Sequence, residues 1–186
     1  MNKHDISPSG WLSEAIHCPS PNYTEGIDRE ISLIVVHNIS LPPFEYGQNA
    51  VTELFTNQLH TKKDPFFQYI QHLRVSSHLF IDRKGQITQY VSFLDIAYHA
   101  GVSSFCERTE CNHFSIGIEL EGCDFEPFTT EQYKQLTITL NKLKNFYPIK
   151  YITGHQHIAP ERKTDPGHFF DWQILHDAGL PLYFDQ

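Results

Sequence analysis

The sequence predicts a single-domain α/β protein in which helices flank a central mixed β-sheet. Residues 31–37 form an apolar, β-branched run that is typical of a buried central strand. Residues 77–82 and 86–91 are alternating runs joined by a tripeptide ending in glycine, the pattern of a β-hairpin. Residues 129–147 combine a capping-box start with apolar residues at helical spacing and a proline stop. Strands mixed with helices in this way imply a mixed sheet.

The composition narrows the classes of function. A chain of 186 residues is long enough for one domain with a real core. The formal net charge of −8 argues against a nucleic-acid partner, because such proteins neutralise phosphates with Lys and Arg. The first ten residues lack the apolar run of a secretory signal, and no segment is long enough to span a bilayer. We therefore expect a cytoplasmic protein with no membrane partner and no obligate protein partner.

Residues 1–30 are rich in Pro, Ser, Asn and Gly, which predicts an irregular N-terminal arm packed on a domain of residues 31–186. His37 ends the first predicted strand, and the following loop contains two consecutive prolines. The carboxyl ends of strands in open α/β sheets are a frequent place for ligands. His37 and Asn38 are therefore candidate site residues.

The middle of the chain adds a helix, a loop and a strand. Residues 49–60 have helical spacing with Asn49 as a possible N-cap, and residues 91–114 are expected to be mostly loop. Residues 115–122 alternate, so Glu119 lies on the opposite face from the apolar residues. The bare Gly117 on that face is expected to leave space beside Glu119.

Residues 153–167 carry two histidines, a lysine and an aspartate among glycines and prolines, which indicates a shaped loop. A catalytic zinc site needs about three N, S or O ligands and an open position. His37, His155 and Asp165 make a plausible set of this kind. Spacing alone leaves three other histidines open as ligands, namely His78, His99 and His157.

Two charged residues are candidates for the chemistry. Glu119 is the natural general base if its strand neighbours that of His37, and otherwise it is a solvated carboxylate on an exposed sheet face. Lys163, two residues before Asp165, would place a positive charge beside the metal and stabilise an oxyanion. Its alternative is an ordinary surface lysine.

Five motifs along the chain carry a resemblance to a known family. They are V-V-H-N-I-S-L-P-P at 35–43, H-L-R-V-S at 72–76, Y-H-A-G-V-S at 98–103, C-N-H-F-S-I-G-I-E-L-E-G at 111–122, and T-G-H with I-A-P-E-R-K-T-D-P-G within 153–167. Together these motifs resemble the AmpD family, the cytoplasmic zinc-dependent 1,6-anhydro-N-acetylmuramyl-L-alanine amidases of Gram-negative bacteria. The resemblance covers about Gly10 to Trp172 and implies the fold of peptidoglycan-recognition proteins and phage amidase-type lysozymes.

The resemblance also implies roles for individual residues. His37, His155 and Asp165 match the zinc ligands, which favours His155 over His157. Glu119 matches the catalytic glutamate and Lys163 the catalytic lysine. Residues matching positions near bound sugar or peptide are Asn38, Arg74 and Arg162.

Three further positions are informative. His78 and His99 match supporting residues of the groove. At position 110 the family often has an arginine, but this chain has Glu110, and Arg108 is the nearby replacement.

The activity implied by the resemblance is hydrolysis of the lactyl-L-Ala amide of 1,6-anhydro-N-acetylmuramyl peptides in peptidoglycan recycling. The cofactor would be Zn²⁺ and the substrate a small muropeptide. In some bacteria this activity restrains induction of a β-lactamase. The alternatives are a non-catalytic muropeptide-binding receptor on the same fold and an exported wall amidase.

Overall fold

A computed structural model describes residues 5–184, which contain ten strands, five α-helices and one 3₁₀ turn at Cys111–His113. The strands are β1 (Ile16–His17), β2 (Tyr23–Thr24), β3 (Leu33–Ile39), β4 (Leu79–Ile81), β5 (Ile87–Gln89), β6 (Ile96–Ala97), β7 (Ser104–Phe105), β8 (Arg108–Thr109), β9 (Ser115–Glu121) and β10 (Tyr151–Gly154). The helices are α1 (Ala50–Phe55), α2 (Phe67–Ile70), α3 (Thr130–Phe146), α4 (His155–Ile158) and α5 (Trp172–Asp177).

Six strands form the main sheet, in the order β1-β5-β4-β9-β3-β10. Strands β4, β9, β3 and β10 are mutually parallel, whereas the β4–β5 hairpin is antiparallel. The predicted mixed sheet flanked by helices is confirmed. The strand predicted at residues 31–37 is interior, but it begins two residues later than predicted, at Leu33, and continues two residues further, to Ile39.

The two faces of the sheet have different cores. Ile34, Val36 and Ile118 lie on one face, in the same apolar cluster as Leu136 and Leu140 of α3. Helix α3 begins at a capping box, in which the Thr129 side chain accepts from the Gln132 amide. Each leucine buried in this way stabilises the fold by about 1.5–3 kcal/mol. The opposite face packs a smaller cluster, which consists of Leu33, Val35, Ala100, Phe105, Cys111, Phe114 and Ile158.

The helix predicted at residues 49–60 is shorter than expected. Helix α1 ends at Phe55, so the predicted length is wrong. Asn49 occupies the N-cap position as predicted, although its side chain makes no capping hydrogen bond. Asn57 has a φ of +60° and exchanges two side-chain hydrogen bonds with Asn22. A contact with the distant N-terminal segment therefore takes the chain out of the helix. The expected loop at 91–114 carries three two-residue strands and the 3₁₀ turn.

The N-terminal segment takes part in the sheet through β1, which pairs in parallel with β5. The division into an arm of residues 1–30 and a domain of residues 31–186 stays a prediction. Residues 1–4 of the arm and residues 185–186 of the domain lie outside the described residues. All four cysteines are free thiols. Over residues 5–184, no helix combines the length and apolarity needed to cross a bilayer.

A buried histidine joins β4 to β9. His78 Nδ1 accepts a hydrogen bond from the Gly117 amide (3.0 Å), and Nε2 donates to the Asp95 carbonyl (3.1 Å). Burial, helped by the positive charge of nearby Arg29, lowers the pKa of His78 to about 3. The ring is therefore neutral at pH 7.

His78 should make stability fall in mild acid. The unfolded residue binds a proton near pH 6.5 but the folded one only near pH 3, so acid favours unfolding across this window. One such group lowers the free energy of unfolding by at most about 1.4 kcal/mol per pH unit. We expect His78→Gln, which keeps an acceptor and a donor, to give a flatter pH dependence between pH 6.5 and 4.5 than wild type. Urea unfolding in a chelator measures this, and identical slopes would contradict it.

Candidate metal centre

Three neighbouring parallel strands bring distant residues to one edge of the sheet. In the register of β3 and β9, His37 lies opposite Glu119. In the register of β3 and β10, Gly154 lies opposite Val36, so the next residue, His155, comes beside His37. Because side chains alternate along a strand, His37 and Glu119 share one face.

Three potential ligand atoms converge there. His37 Nδ1 lies 2.9 Å from His155 Nδ1, and each nitrogen lies 3.1 Å from Asp165 Oδ2. Both histidines are buried, with 1% and 3% of their surfaces exposed. Ligand atoms held at about 2.0–2.2 Å from a tetrahedral zinc are roughly 3.4 Å apart. The set needs only a small outward shift to hold such an ion.

The hydrogen bonds around His155 support this interpretation. His155 Nε2 donates to the Ala100 carbonyl (3.1 Å), so in the neutral ring Nδ1 carries a lone pair. That lone pair faces the Asp165 carboxylate, which is also an acceptor. A cation between the two relieves their repulsion, and two imidazoles with one carboxylate are ligands that suit zinc.

Protonation in the site also suits a metal. Burial, with a contribution from His155, lowers the pKa of His37 to about 4. Burial opposes ionisation of Asp165, but the two adjacent imidazoles outweigh it and lower the pKa of the carboxyl below its ordinary value. At neutral pH the ring is therefore neutral and the carboxylate ionised, the forms that bind metals.

Glu119 is a buried carboxyl beside this set. Its Oε2 has no hydrogen-bond partner within the part of the chain that the structure describes. Burial raises the pKa of Glu119 well above its ordinary value, the charge of Asp165 adds to this, and Lys163 opposes it. An unpaired buried carboxyl costs stability, so its presence beside potential metal ligands indicates a chemical role.

A cavity of about 440 Å³ borders Asp165, whereas the buried His37, His155 and Glu119 lie behind its lining. Asp165, Lys163 and Arg162 line it together with Asn38. The rings of Phe44 and Phe125, with centroids 6.0 Å apart, belong to the same wall. The cavity thus combines cationic, amide and aromatic surfaces next to Asp165.

The predicted substrate contacts lie in different surroundings. The Asn38 amide donates to Asp124 Oδ1 (2.7 Å) and to the Pro166 carbonyl (3.1 Å). The Arg162 guanidinium donates to the carbonyls of Ala100 and Val102. Arg74 lies outside the cavity lining, on an exposed loop, where it donates to backbone carbonyls. Contact of all three residues with substrate stays a prediction.

Arg108 lies outside the lining of this cavity, and its replacement of the family's arginine stays a prediction. Its guanidinium lies over the Phe114 ring, 3.8 Å from the centroid, and donates a hydrogen bond to Ser32 Oγ at 3.4 Å. Ser32 comes just before the start of β3, whereas His37 lies near the other end of that strand.

Sequence reasoning missed Asp124. Its carboxylate accepts from Asn38 and from Thr164 Oγ1 (2.5 Å), and Thr164 lies between Lys163 and Asp165. Asp124 therefore ties the end of β3 to the loop that carries two candidate site residues. These contacts join three separate segments, so no local motif could reveal them.

The expectation of free space beside Glu119 is wrong. The ring of His99 fills the room left by Gly117, and a Cβ at that glycine would lie 2.4 Å from the ring. His99 thus belongs to the immediate surroundings of the site.

Comparisons with known proteins identify the family of this chain. The family model for N-acetylmuramoyl-L-alanine amidase matches residues 27–168. The 1,6-anhydro-N-acetylmuramyl-L-alanine amidase AmpD of Citrobacter freundii is 53% identical over 166 residues, which cover 88% of this chain and 89% of the relative. AmpD of Escherichia coli (strain K12) is 52% identical over 166 residues, covering 88% and 91%.

Solved structures give the same result. A crystal structure of a selenomethionine AmpD derivative superposes with a TM-score of 0.90 at 50% identity, covering 93% of this chain and 98% of the other. AmiD from E. coli, in complex with the substrate anhydro-N-acetylmuramic acid-L-Ala-D-gamma-Glu-L-Lys, has a TM-score of 0.60 at 25% identity, covering 94% and 65%. The resemblance to AmpD and the expected fold are confirmed. This chain belongs to the N-acetylmuramoyl-L-alanine amidase family.

Proposed function

We propose that the protein is a zinc-dependent amidase that hydrolyses the bond between the lactyl group of 1,6-anhydro-N-acetylmuramic acid and L-alanine. The observation that carries the proposal is the convergence of His37, His155 and Asp165 beside Glu119, whose buried Oε2 has no hydrogen-bond partner among residues 5–184. The anhydro sugar in the names of the AmpD relatives, and in the ligand of the AmiD complex, supports this substrate class.

The proposed ligands are the two Nδ1 atoms and Asp165 Oδ2. Zinc bound there supplies Lewis acidity, which lowers the pKa of a coordinated water to about 7 and polarises a carbonyl group. Ala100 holds the His155 ring in the matching tautomer through its carbonyl.

Glu119 moves the protons. Amide hydrolysis requires a base for the attacking water and an acid for the departing amine nitrogen, and one carboxyl can serve both steps in turn. A raised pKa of Glu119 lies closer to neutral pH, where one carboxyl can both accept and return a proton. Glu119 also lies opposite His37 in the sheet, which keeps it beside the reacting atoms.

Lys163 stabilises charge. Negative charge develops on the carbonyl oxygen as the water attacks, and the Lys163 ammonium on the cavity wall is available to stabilise it. We assign substrate contacts to Asn38, Arg74 and Arg162. Asn38 and Arg162 line the same cavity.

The deciding experiment is release of tripeptide from purified anhydro-muramyl-tripeptide, followed by mass spectrometry in zinc and in a chelator. Release that requires zinc supports the amidase. Binding without release, by folded and zinc-loaded protein, would instead favour a muropeptide receptor on the same fold. A cytoplasmic location stays a prediction, which cell fractionation tests. A link to β-lactamase induction also stays a prediction, and the β-lactamase level of a deletion strain tests it.

Zinc should stabilise the fold through His155. Zinc at about 100 times its Kd adds about 2.7 kcal/mol, or roughly 5–10 °C in Tm for a chain of this size. We expect His155→Ala to abolish this shift. The matched control is His157→Ala, because His157 instead accepts from the Gly154 amide and packs on Trp172. Thermal unfolding with and without chelator measures both, and a shift retained by His155→Ala would place the ion elsewhere.

Glu119→Gln should lower kcat by about 10²–10⁴-fold, because the amide cannot transfer the protons. Zinc content should remain at the wild-type level, since Glu119 is not a proposed ligand. Glu121→Gln is the matched control on the same strand and face. Its carboxylate accepts from backbone amides of Gly47 and Arg83, so the change should cost stability but leave kcat within a few-fold. Equal losses of kcat in Glu119→Gln and Glu121→Gln would contradict the assignment of Glu119 as the proton-transfer group.

Lys163→Met should lower kcat by roughly 10²-fold, the usual effect of losing one donor to a developing oxyanion. Lys150→Met is the control, because Lys150 pairs with Glu30 at the surface. Steady-state kinetics of the two variants in saturating zinc test the assignment. A change confined to KM would show that Lys163 only binds substrate.

A further inference from the structure

A chain of hydrogen bonds runs from His37 into the protein. His37 Nε2 lies 2.9 Å from His99 Nδ1, and His99 Nε2 lies 3.2 Å from Ser115 Oγ. Ser115 Oγ in turn lies 2.6 Å from the Cys111 carbonyl. All four residues are buried.

The end of this chain determines the position of every proton in it. A carbonyl oxygen only accepts, so the Ser115 hydroxyl donates its single proton to Cys111. Ser115 Oγ then accepts from His99 Nε2–H, which leaves a lone pair on Nδ1 of the neutral His99 ring. That lone pair accepts from His37 Nε2–H. His37 Nδ1 is therefore free of a proton and points to His155 and Asp165.

Ala100, which follows His99 in the sequence, fixes the tautomer of the second proposed ligand, His155. The Ala100 carbonyl accepts from His155 Nε2–H at 3.1 Å. The amides of His99 and Ala100 both donate to Asn112 Oδ1, at 3.1 and 2.8 Å. The dipeptide His99–Ala100, held by hydrogen bonds to the Asn112 side chain, thus orients the imidazoles of both His37 and His155.

The packing leaves the His99 ring little freedom. It meets the His37 ring edge-on, with centroids 5.0 Å apart and planes at 84°. On its other side it rests on Gly117, where a Cβ would lie 2.4 Å from the ring. A side chain at position 117 would push His99 away from His37.

We propose that His99 is a positioning residue of the amidase site: its imidazole holds His37 as the Nε2–H tautomer with Nδ1 facing His155 and Asp165, while Asn112 fixes the His99–Ala100 backbone. This inference rests on the metal site proposed above. Outer partners of metal-binding histidines typically contribute 10–100-fold to metal affinity, because they fix the ring and its tautomer.

The first test compares zinc affinity in two matched variants, by competition with a chromophoric chelator. His99→Phe and His157→Phe each replace a histidine ring by another aromatic ring, but only His99 contacts a proposed ligand, because His157 instead accepts from the Gly154 amide. We expect 10–100-fold weaker zinc binding for His99→Phe and a change within about threefold for His157→Phe. His99→Gln, which keeps an acceptor and a donor, should recover most of the affinity. Equal effects at the two positions would overturn the proposal.

The second test needs no variant and no metal. Imidazole ¹⁵N NMR of the metal-free wild type at pH 7.5 reports the tautomer of each ring directly. We expect His37 and His99 both as Nε2–H forms. An Nδ1–H form of His37 would overturn the proposal even if the Phe variants fail to fold. A wild type that binds no zinc would overturn the proposed function instead, and the NMR result would still decide the role of His99.

Discussion

The parallel pairing of β9, β3 and β10 is the constraint on which the site depends. It places Glu119, His37 and His155 in a row, although 118 residues separate the two histidines. A slip of one residue between β3 and β9 would turn Glu119 or His37 to the opposite face. The alternating apolar residues under α3 prevent such a slip, because it would also remove Ile34 and Val36 from their cluster. The core on one face therefore sets the geometry of the site on the other.

Burial then gives the side chains their chemical character. In water His37 would be partly protonated near neutral pH, whereas burial keeps it neutral and able to act as a ligand. The same burial raises the pKa of Glu119, and its Oε2 finds no hydrogen-bond partner in the described part of the chain. Such groups cost stability, and the extensive clusters on both faces of the sheet offset that cost. The apolar clusters on both faces thus stabilise the same sheet that carries the reactive groups.

Local signals predicted the elements that depend on local interactions. Strand β3, the β4–β5 hairpin and the capped helix α3 each have a pattern that is complete within the segment. Helix α1 was predicted too long because its end depends on a pair between Asn57 and Asn22, which are far apart in sequence. Asp124 was missed for the same reason. The spacing of residues reports only contacts between neighbours in the sequence, whereas the contacts of Asn57 and Asp124 join segments that are far apart in it.

The choice between His155 and His157 illustrates the limit most clearly. Spacing left both open because, on a continuing strand, residues two apart share a face. The chain instead starts helix α4 at His155, so His157 is rotated by about 200° and turns back to the Gly154 amide. Only the resemblance to AmpD favoured His155.

Gly117 shows the same limit for a residue inside a strand. A glycine inside a strand costs roughly 0.5–1 kcal/mol relative to alanine, so its presence in β9 points to a close contact. The sequence could show that room was needed there, but only the fold shows that His99 occupies it.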